Sequence, residues 1–253
     1  MLAPRTRIIL VRSVVSITGA ALLIAAFGIS NDFTTLKWIL TICFVTLSLL
    51  SFLMDYRDLS IIGALLALLY NPIIPVALPR HIWVIVDVIT FVGIIYYTYW
   101  TTNPHWKGTR FEQYITTLFP EPEFTIVDRT RDTSKFLDRK VESDGHPDFV
   151  LRHNVSGTVF ALECKWRGQW SYNRQAARGI WWDRWRNEHY IAFGKERSMP
   201  VYVAFGIGGA PERPKEVYFL DAQRLHYSFL LQSLICSGKT TSTLIRTFAA
   251  EQQ

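Results

Sequence analysis

Cysteine is scarce and badly placed for any bridge: Cys43, Cys164 and Cys236 are the only three, far apart and never at CxxC spacing. That excludes a disulfide framework and a structural zinc site, and it points to a reducing compartment. Charge is scarce in one part only. Residues 1–100 hold 10 charged side chains, six basic and four acidic, whereas residues 101–253 hold the other 38. The apolar N-terminus lacks a clear small-x-small cleavage site and is followed by three more apolar runs, so it reads as a retained membrane helix instead of a signal peptide. Ser156-Gly157 lacks the flanking glycines of a nucleophile elbow, which leaves a Ser-His-Asp hydrolase without support. A repeated pair of broken helices, the mark of a transporter, is missing as well. With 49% hydrophobic and 14% aromatic residues, disordered and collagen-like chains are excluded.

What is present divides the chain into residues 1–102 and 103–253. Apolar runs extend from about Val14 to Ile29, Leu36 to Met54, Ile61 to Leu78 and Ile82 to Trp100. A span needs roughly 17 to 25 residues to cross about 30 Å of hydrocarbon. The second and fourth runs meet that. The first does so by starting near Ile8 with Arg12 snorkelling, and the third is interrupted by Asn71-Pro72 and Pro75 and is expected to be kinked or partly re-entrant. About four spans are expected in this α-helical transmembrane bundle. Arg5, Arg7 and Arg12 precede the first span, single basic residues (Lys37, Arg57, Arg80) mark the loops, and Lys107 and Arg110 follow the last. The bias toward basic flanks on the cytoplasmic side then places both termini in the cytoplasm of a bacterial inner membrane, as a multi-pass protein. Asp87, inside the fourth run, is expected to pair with Arg80 or His81 near the headgroups, or else to mark an ion path.

Composition shifts at Thr101-Thr102-Asn103-Pro104, expected to be a short polar linker. Beyond it the pattern predicts a helix over 109–118, a strand over 124–127 and a loop from Asp128 to Gly145. Strands follow over 149–152 and 158–166, joined by a turn at Asn154-Val155-Ser156-Gly157. A helix is expected over 180–193, strands over 201–205 and 217–220, and helical segments over 225–234 and 242–249. This is a mixed α/β plan. Gly206-Ile207-Gly208-Gly209 reads as a turn, because Pro211 and Pro214 leave no helix N-terminus to receive a phosphate. His146, His153 and His189 lack ligand spacing and read as surface or loop residues.

The segment that carries chemistry is Pro147-Asp148 followed by Leu162-Glu163-Cys164-Lys165. Side chains alternate along a strand, so Glu163 and Lys165 share one face while Leu162 and Cys164 take the other. A hairpin symmetric about Val155 and Ser156 places Arg152 opposite Val159 and Asp148 opposite Glu163. Directly opposed residues have Cβ atoms about 4.5 to 5.5 Å apart. Two carboxylates that close repel unless a cation sits between them, and a hard divalent ion, Mg2+ or Mn2+, suits oxygen ligands.

A PD step followed by ExK on a strand hairpin, after a helix bearing Glu112, resembles the PD-(D/E)XK nuclease superfamily with its restriction-endonuclease-like fold and mixed central sheet. The resemblance covers roughly residues 105–222. It implies that Asp148 and Glu163 hold the metal, that Glu112 is an additional acidic ligand, and that Lys165 orients or activates the attacking water. Many members carry a Gln on the following helix with a Tyr four residues later. Here Tyr190 is present, and Arg186 stands at the Gln position.

Six basic residues, Lys165, Arg167, Arg174, Arg178, Arg184 and Arg186, share the stretch 165–186 with five tryptophans, Trp166, Trp170, Trp181, Trp182 and Trp185. The arginines, beside the ExK strand, are expected to bind nucleic acid. The tryptophans suit base stacking, a core or a membrane surface equally well. Expected partners are nucleic acid, foremost DNA, and the lipid bilayer; a homo-oligomer is left open. Two readings follow. One is a membrane-anchored, divalent-metal-dependent endonuclease on the cytoplasmic face, suited to defence where foreign DNA enters. The other is a tethered nucleic-acid-binding or sensor module that keeps the fold without cleaving.

Overall fold

The computed structural model describes residues 4–27, 33–74, 76–130 and 145–250, and for 4–8 and 248–250 the helical backbone only. The side chains of Arg5 and Arg7, Pro75, and most of the expected loop from Asp128 to Gly145 therefore lie outside the described residues. The chain divides into two compact units, Met1–Lys107 and Gly108–Gln253.

The first unit contains α1 (Pro4–Phe27), α2 (Phe33–Leu53), α3 (Arg57–Leu69) and α4 (Arg80–Thr102). Among the described residues three stretches, Ile9–Phe27, Phe33–Leu53 and Arg80–Thr102, are long and apolar enough to cross a membrane. The expectation of four spans is therefore corrected. The third run yields a helix of 13 residues, about 20 Å at ~1.5 Å per residue. It stops there because Asn71-Pro72 follows: Pro72 has no N–H to donate and disfavours helical backbone at the residue before it. The Asn71 side chain instead accepts from the Ile73 N–H at 2.8 Å, closing a turn. Despite its length α3 runs back along α2. Thr41 Oγ1 donates to the Tyr70 carbonyl at 3.0 Å and Ser48 Oγ to the Ser60 carbonyl at 2.7 Å. Gly63 makes that approach feasible, since a Cβ there would sit 3.1 Å from Ser48. Gly19 of α1 faces Phe91 of α4, where a Cβ would sit 3.3 Å from the ring. Leu22, Leu40, Phe44, Leu47 and Tyr70 fill the interior. The outer surface keeps Ile42, Leu49, Phe52, Leu65 and Ile95 exposed, the inverse of a water-facing surface.

Asp87 is buried, and its partner is neither Arg80 nor His81: the Tyr70 hydroxyl donates to its Oδ1 at 2.7 Å. The Asn71-Pro72 break places Tyr70 at the end of α3, where its ring reaches the fourth helix.

The polar linker is shorter than expected. α4 continues through Thr102 and α5 (Pro104–Thr117) begins after Asn103 alone. Pro104 opens α5 where its missing N–H would have had no partner, and Asn103 Oδ1 accepts from the His105 N–H at 2.9 Å as the cap.

The second unit is built on a five-stranded sheet in the order β1-β2-β3-β6-β7. Its strands are β1 (Phe124–Arg129), β2 (Phe149–His153), β3 (Val159–Arg167), β6 (Val201–Ala210) and β7 (Arg213–Asp221). β3 and β6 are parallel and the other pairs antiparallel, so the sheet is mixed. β4 (Ser171–Tyr172), β5 (Arg178–Trp181) and β8 (Phe229–Leu231) form a second, three-stranded sheet. Helix α6 (Arg184–Glu196) lies in the crossover from β3 to β6, and α7 (Gln232–Cys236) and α8 (Thr241–Ala250) close the chain. Alternation along β3 feeds two cores: Phe160, Leu162 and Cys164 pack with Phe111 and Ile115 of α5, and Ala161 packs with Tyr190 and Phe193 of α6.

Several local expectations are corrected. The helix expected over 180–193 starts only at Arg184, because Asp183 caps it by accepting from the Arg186 N–H at 3.3 Å, and Ile180 is a strand residue paired with Leu230. The segment 225–234 is a strand and a short helix. Gly206 to Gly209 belong to β6, and the chain reverses at Pro211-Glu212. Gly206 has no room for a side chain, as a Cβ would lie 2.3 Å from the Phe111 ring. His153 is buried in β2, with Nδ1 2.7 Å from Ser156 Oγ.

Candidate active site

The β2–β3 hairpin has the register that a symmetric turn predicts: Arg152 pairs with Val159 and Phe149 with Leu162. One step further, where β2 has not yet begun, Asp148 comes alongside Glu163 and Cys164. Its Oδ2 accepts from the Cys164 N–H at 2.7 Å. Glu163 is buried at 3% exposure, and its Oε1 receives two donors, the Lys165 ammonium and, at 2.7 Å, the Tyr190 hydroxyl. The structure thus brings Asp148, Glu163 and Lys165 together on the α6 side of the sheet.

The electrostatics follow from this crowding. Burial, then the neighbouring Glu163 carboxylate, pushes the Asp148 carboxyl well above its ordinary range, against the opposing pull of Lys165. Burial lowers the Lys165 ammonium, but Glu163 and Asp148 together outweigh it, and the net shift is upward. Burial also pushes the Tyr190 hydroxyl up, followed by the Glu163 charge, so it stays protonated and can only donate to Glu163.

Glu112, on α5, is near enough to act electrostatically on Asp148, and its carboxylate faces Arg129 of β1 at 3.5 Å. Among the described residues no group of three or more His, Cys, Asp or Glu side chains forms a metal-ligand cluster. The converging donors are two carboxylates. That set fits magnesium, which is commonly held by one or two carboxylates and completes its shell with water and phosphate oxygens; it does not fit an all-protein cage.

The basic residues separate by burial. Arg174, Arg178, Arg184 and Arg186 are exposed. Arg178 lies over the Trp170 ring at 5.5 Å, Arg184 pairs with Glu188 at 4.0 Å and Arg186 with Asp183 at 3.7 Å. Arg186 is also close enough to act on Lys165 and Tyr190. Arg167 is half-buried, donates to the Trp166 carbonyl at 3.0 Å, and has its guanidinium pulled below the ordinary value by burial. The tryptophans divide likewise. Trp170 and Trp182 are core, whereas Trp181 and Trp185 are 56% and 50% exposed.

Sequence reasoning missed three participants. The Cys164 N–H belongs to every residue type alike and carries no sequence signal. Arg129 ends β1 and reaches Glu112 on the preceding helix α5, and a lone arginine at a strand end carries no signal of that contact. A third, Asn187, anchors α6 by donating to the Ala222 and Leu225 carbonyls at 3.0 Å each; its only signal was a polar residue on the apolar stripe of a helix.

Residues 11–99 match the model of a family of unknown function, DUF6804. No curated protein matches the chain. Among solved structures, Hjc, a Holliday junction resolvase from the archaeal hyperthermophile Archaeoglobus fulgidus, is similar at 20% identity and a TM-score of 0.41, covering 55% of this chain and 99% of that one.

Proposed function

We propose that the second unit is a divalent-metal-dependent nuclease, of the PD-(D/E)XK kind, that hydrolyses phosphodiester bonds of DNA. The observation that carries this reading is the apposition of Asp148 and Glu163, with Lys165 donating to Glu163 beside them. Catalytic roles fall to Asp148, Glu163 and Lys165, with Glu112 as a further acidic ligand. Asp148 and Glu163 would hold the metal, which when bound polarises a phosphoryl oxygen and lowers the pKa of water. Glu163 is oriented by Tyr190, so one of its oxygens stays committed inward. Lys165 keeps its proton and sets positive charge where the attacking oxygen and the phosphoryl group accumulate negative charge. Arg174, Arg178, Arg184 and Arg186 would neutralise phosphates along the bound strand.

The apolar helices would anchor this unit to the inner membrane of a bacterium. The basic residues that flank α1 and follow α4 favour the cytoplasmic side for both termini. The three full spans among the described residues satisfy that arrangement only with the shorter α3, which doubles back along α2, completing the return. Such a position suits defence against entering DNA. A deletion strain that admits phage and plasmid no more readily than its parent would remove that role.

A second reading, a tethered module that binds without cutting, is favoured by one feature: Lys165 and Glu112 already have partners within the chain, Glu163 and Arg129. Purified full-length chain in detergent, incubated with plasmid and Mg2+, separates the two. Cleavage that disappears with chelator, with Asp148→Ala and with Lys165→Ala supports the nuclease. Retained binding without metal-dependent cleavage of varied DNA and RNA supports the module.

A further inference from the structure

The membrane unit contains a cavity of about 280 Å³ at the end where α1 and α3 finish and α2 and α4 begin. Its lining combines apolar Leu36, Leu40, Leu78 and Val84 with polar Lys37, Arg80, Tyr70 and Asp87. A buried carboxylate and two basic side chains around one hollow in a helix bundle are expensive to keep in an apolar setting, and such groups mark binding sites.

The chemistry of the ligand follows from which of these groups are already engaged. The Asp87 carboxylate accepts from the Tyr70 hydroxyl at 2.7 Å. The face of Trp83, the other feature that would attract a cation, is covered by the chain's own Lys37 ammonium, 4.9 Å from the ring centroid. Lys37 also lies within electrostatic reach of Asp87. Arg80, exposed at the rim, has no ion-pair partner among the described residues. Two cations thus face a single carboxylate, and the cavity carries excess positive charge beside an apolar wall. Its volume, about 280 Å³, falls just below the roughly 300 to 1,000 Å³ typical of small-molecule sites. It therefore admits a head and a short length of chain, and excludes the body of a two-chain lipid.

We propose that this cavity binds an anionic amphiphile, with a phosphate or carboxylate head engaging Lys37 and Arg80 and an alkyl chain lying along Leu36, Leu40 and Val84. The site is separate from the nuclease reading, and its test reads binding alone. Full-length chain in neutral maltoside detergent is titrated with decyl phosphate, decanoate, decanol and decyltrimethylammonium, and thermal unfolding is followed. The two anions raise Tm in a saturable way; the alcohol and the ammonium do not. Arg80→Gln raises the half-saturating concentration of decyl phosphate about tenfold or more, the usual worth of one charge-assisted hydrogen bond. Val84→Trp, which fills the apolar wall and keeps both cations, removes the response.

Equal responses to decanol or to the ammonium overturn the proposal with no variant needed, and so do two folded variants that respond like the parent. In nanodiscs, competition of phosphatidylglycerol, but not phosphatidylcholine, with decyl phosphate assigns the site to a bilayer lipid head. Binding of decyl phosphate without that competition assigns it to a free single-chain amphiphile.

Discussion

The Tyr190 hydroxyl donates a 2.7 Å hydrogen bond to Glu163 Oε1, and so α6 fixes the orientation of a carboxylate that belongs to β3. Partners of this kind around a metal ligand commonly contribute about 10- to 100-fold in metal affinity or activity. Tyr190→Phe is expected to weaken Mg2+ binding by that factor with little loss of fold. Calorimetric titration of Mg2+, set beside circular dichroism of the same sample, checks it.

Asp148 supplies a pH prediction. Its folded pKa is raised above the value of an unfolded Asp, about 3.9. Between those two values the native state holds more protons than the unfolded chain, so stability falls as pH rises through the window. Asp148→Asn removes that dependence. In chelator, the variant is expected to melt higher than the parent at about pH 7 and to show a flatter Tm profile from about pH 4 upward. Added Mg2+ should raise the Tm of the parent and leave the variant unmoved.

Glu112 faces Arg129 at 3.5 Å, and as an additional ligand it would have to turn from that partner toward Asp148. Glu112→Gln is therefore expected to raise the Mg2+ concentration for half-maximal cleavage several-fold, with the rate at saturating metal largely kept. A metal titration of the cleavage rate decides it, and loss at every metal concentration would assign Glu112 a more direct part.

The exposed arginines should behave as phosphate contacts. Arg184→Gln and Arg174→Gln are each expected to weaken DNA binding irrespective of sequence and to reduce the slope of log affinity against log salt by about 1. Arg167→Gln should instead lower the melting temperature, since its side chain is half-buried and donates to the Trp166 carbonyl. Binding isotherms at several salt concentrations, together with thermal melts, distinguish the two effects.

The adjacent tryptophans offer an internal control. Trp182 packs on Phe205 with ring centroids 5.4 Å apart inside the core, and Trp182→Ala should cost about 3 to 5 kcal/mol. Trp181, outside that core, should lose no more than about 1 kcal/mol on truncation to Ala. Chemical denaturation reads both.

Short apolar runs and turn chemistry were enough to specify the hairpin. Phe149 to Leu151 and Val159 to Leu162 are continuous apolar runs about a tight reversal, so the pairing of Arg152 with Val159, and with it the approach of Asp148 to Glu163, follows from local rules. The apolar length of α1, α2 and α4 was equally legible, because span length is a one-dimensional property. The third run was not. Its composition is that of a span, but Asn71-Pro72 ends the helix early, and the reward for stopping there, Tyr70 meeting Asp87, exists only once α3 has folded back. Ile180 and Trp181 looked helical because short apolar runs suit either period; the Asp183 cap and pairing with the distant Leu230 made them a strand.

By itself the sequence determined two compositional halves, an apolar helical one and a mixed α/β one, the strand positions of Glu163 and Lys165, and the place of Asp148 just ahead of the partner strand. Tertiary structure alone decided that Tyr190 and the Cys164 N–H hold those carboxylates, that Glu112 turns to Arg129, and which tryptophans are core. Those contacts join residues far apart in the chain, and only the packing of α5 and α6 against the sheet gives them a distance.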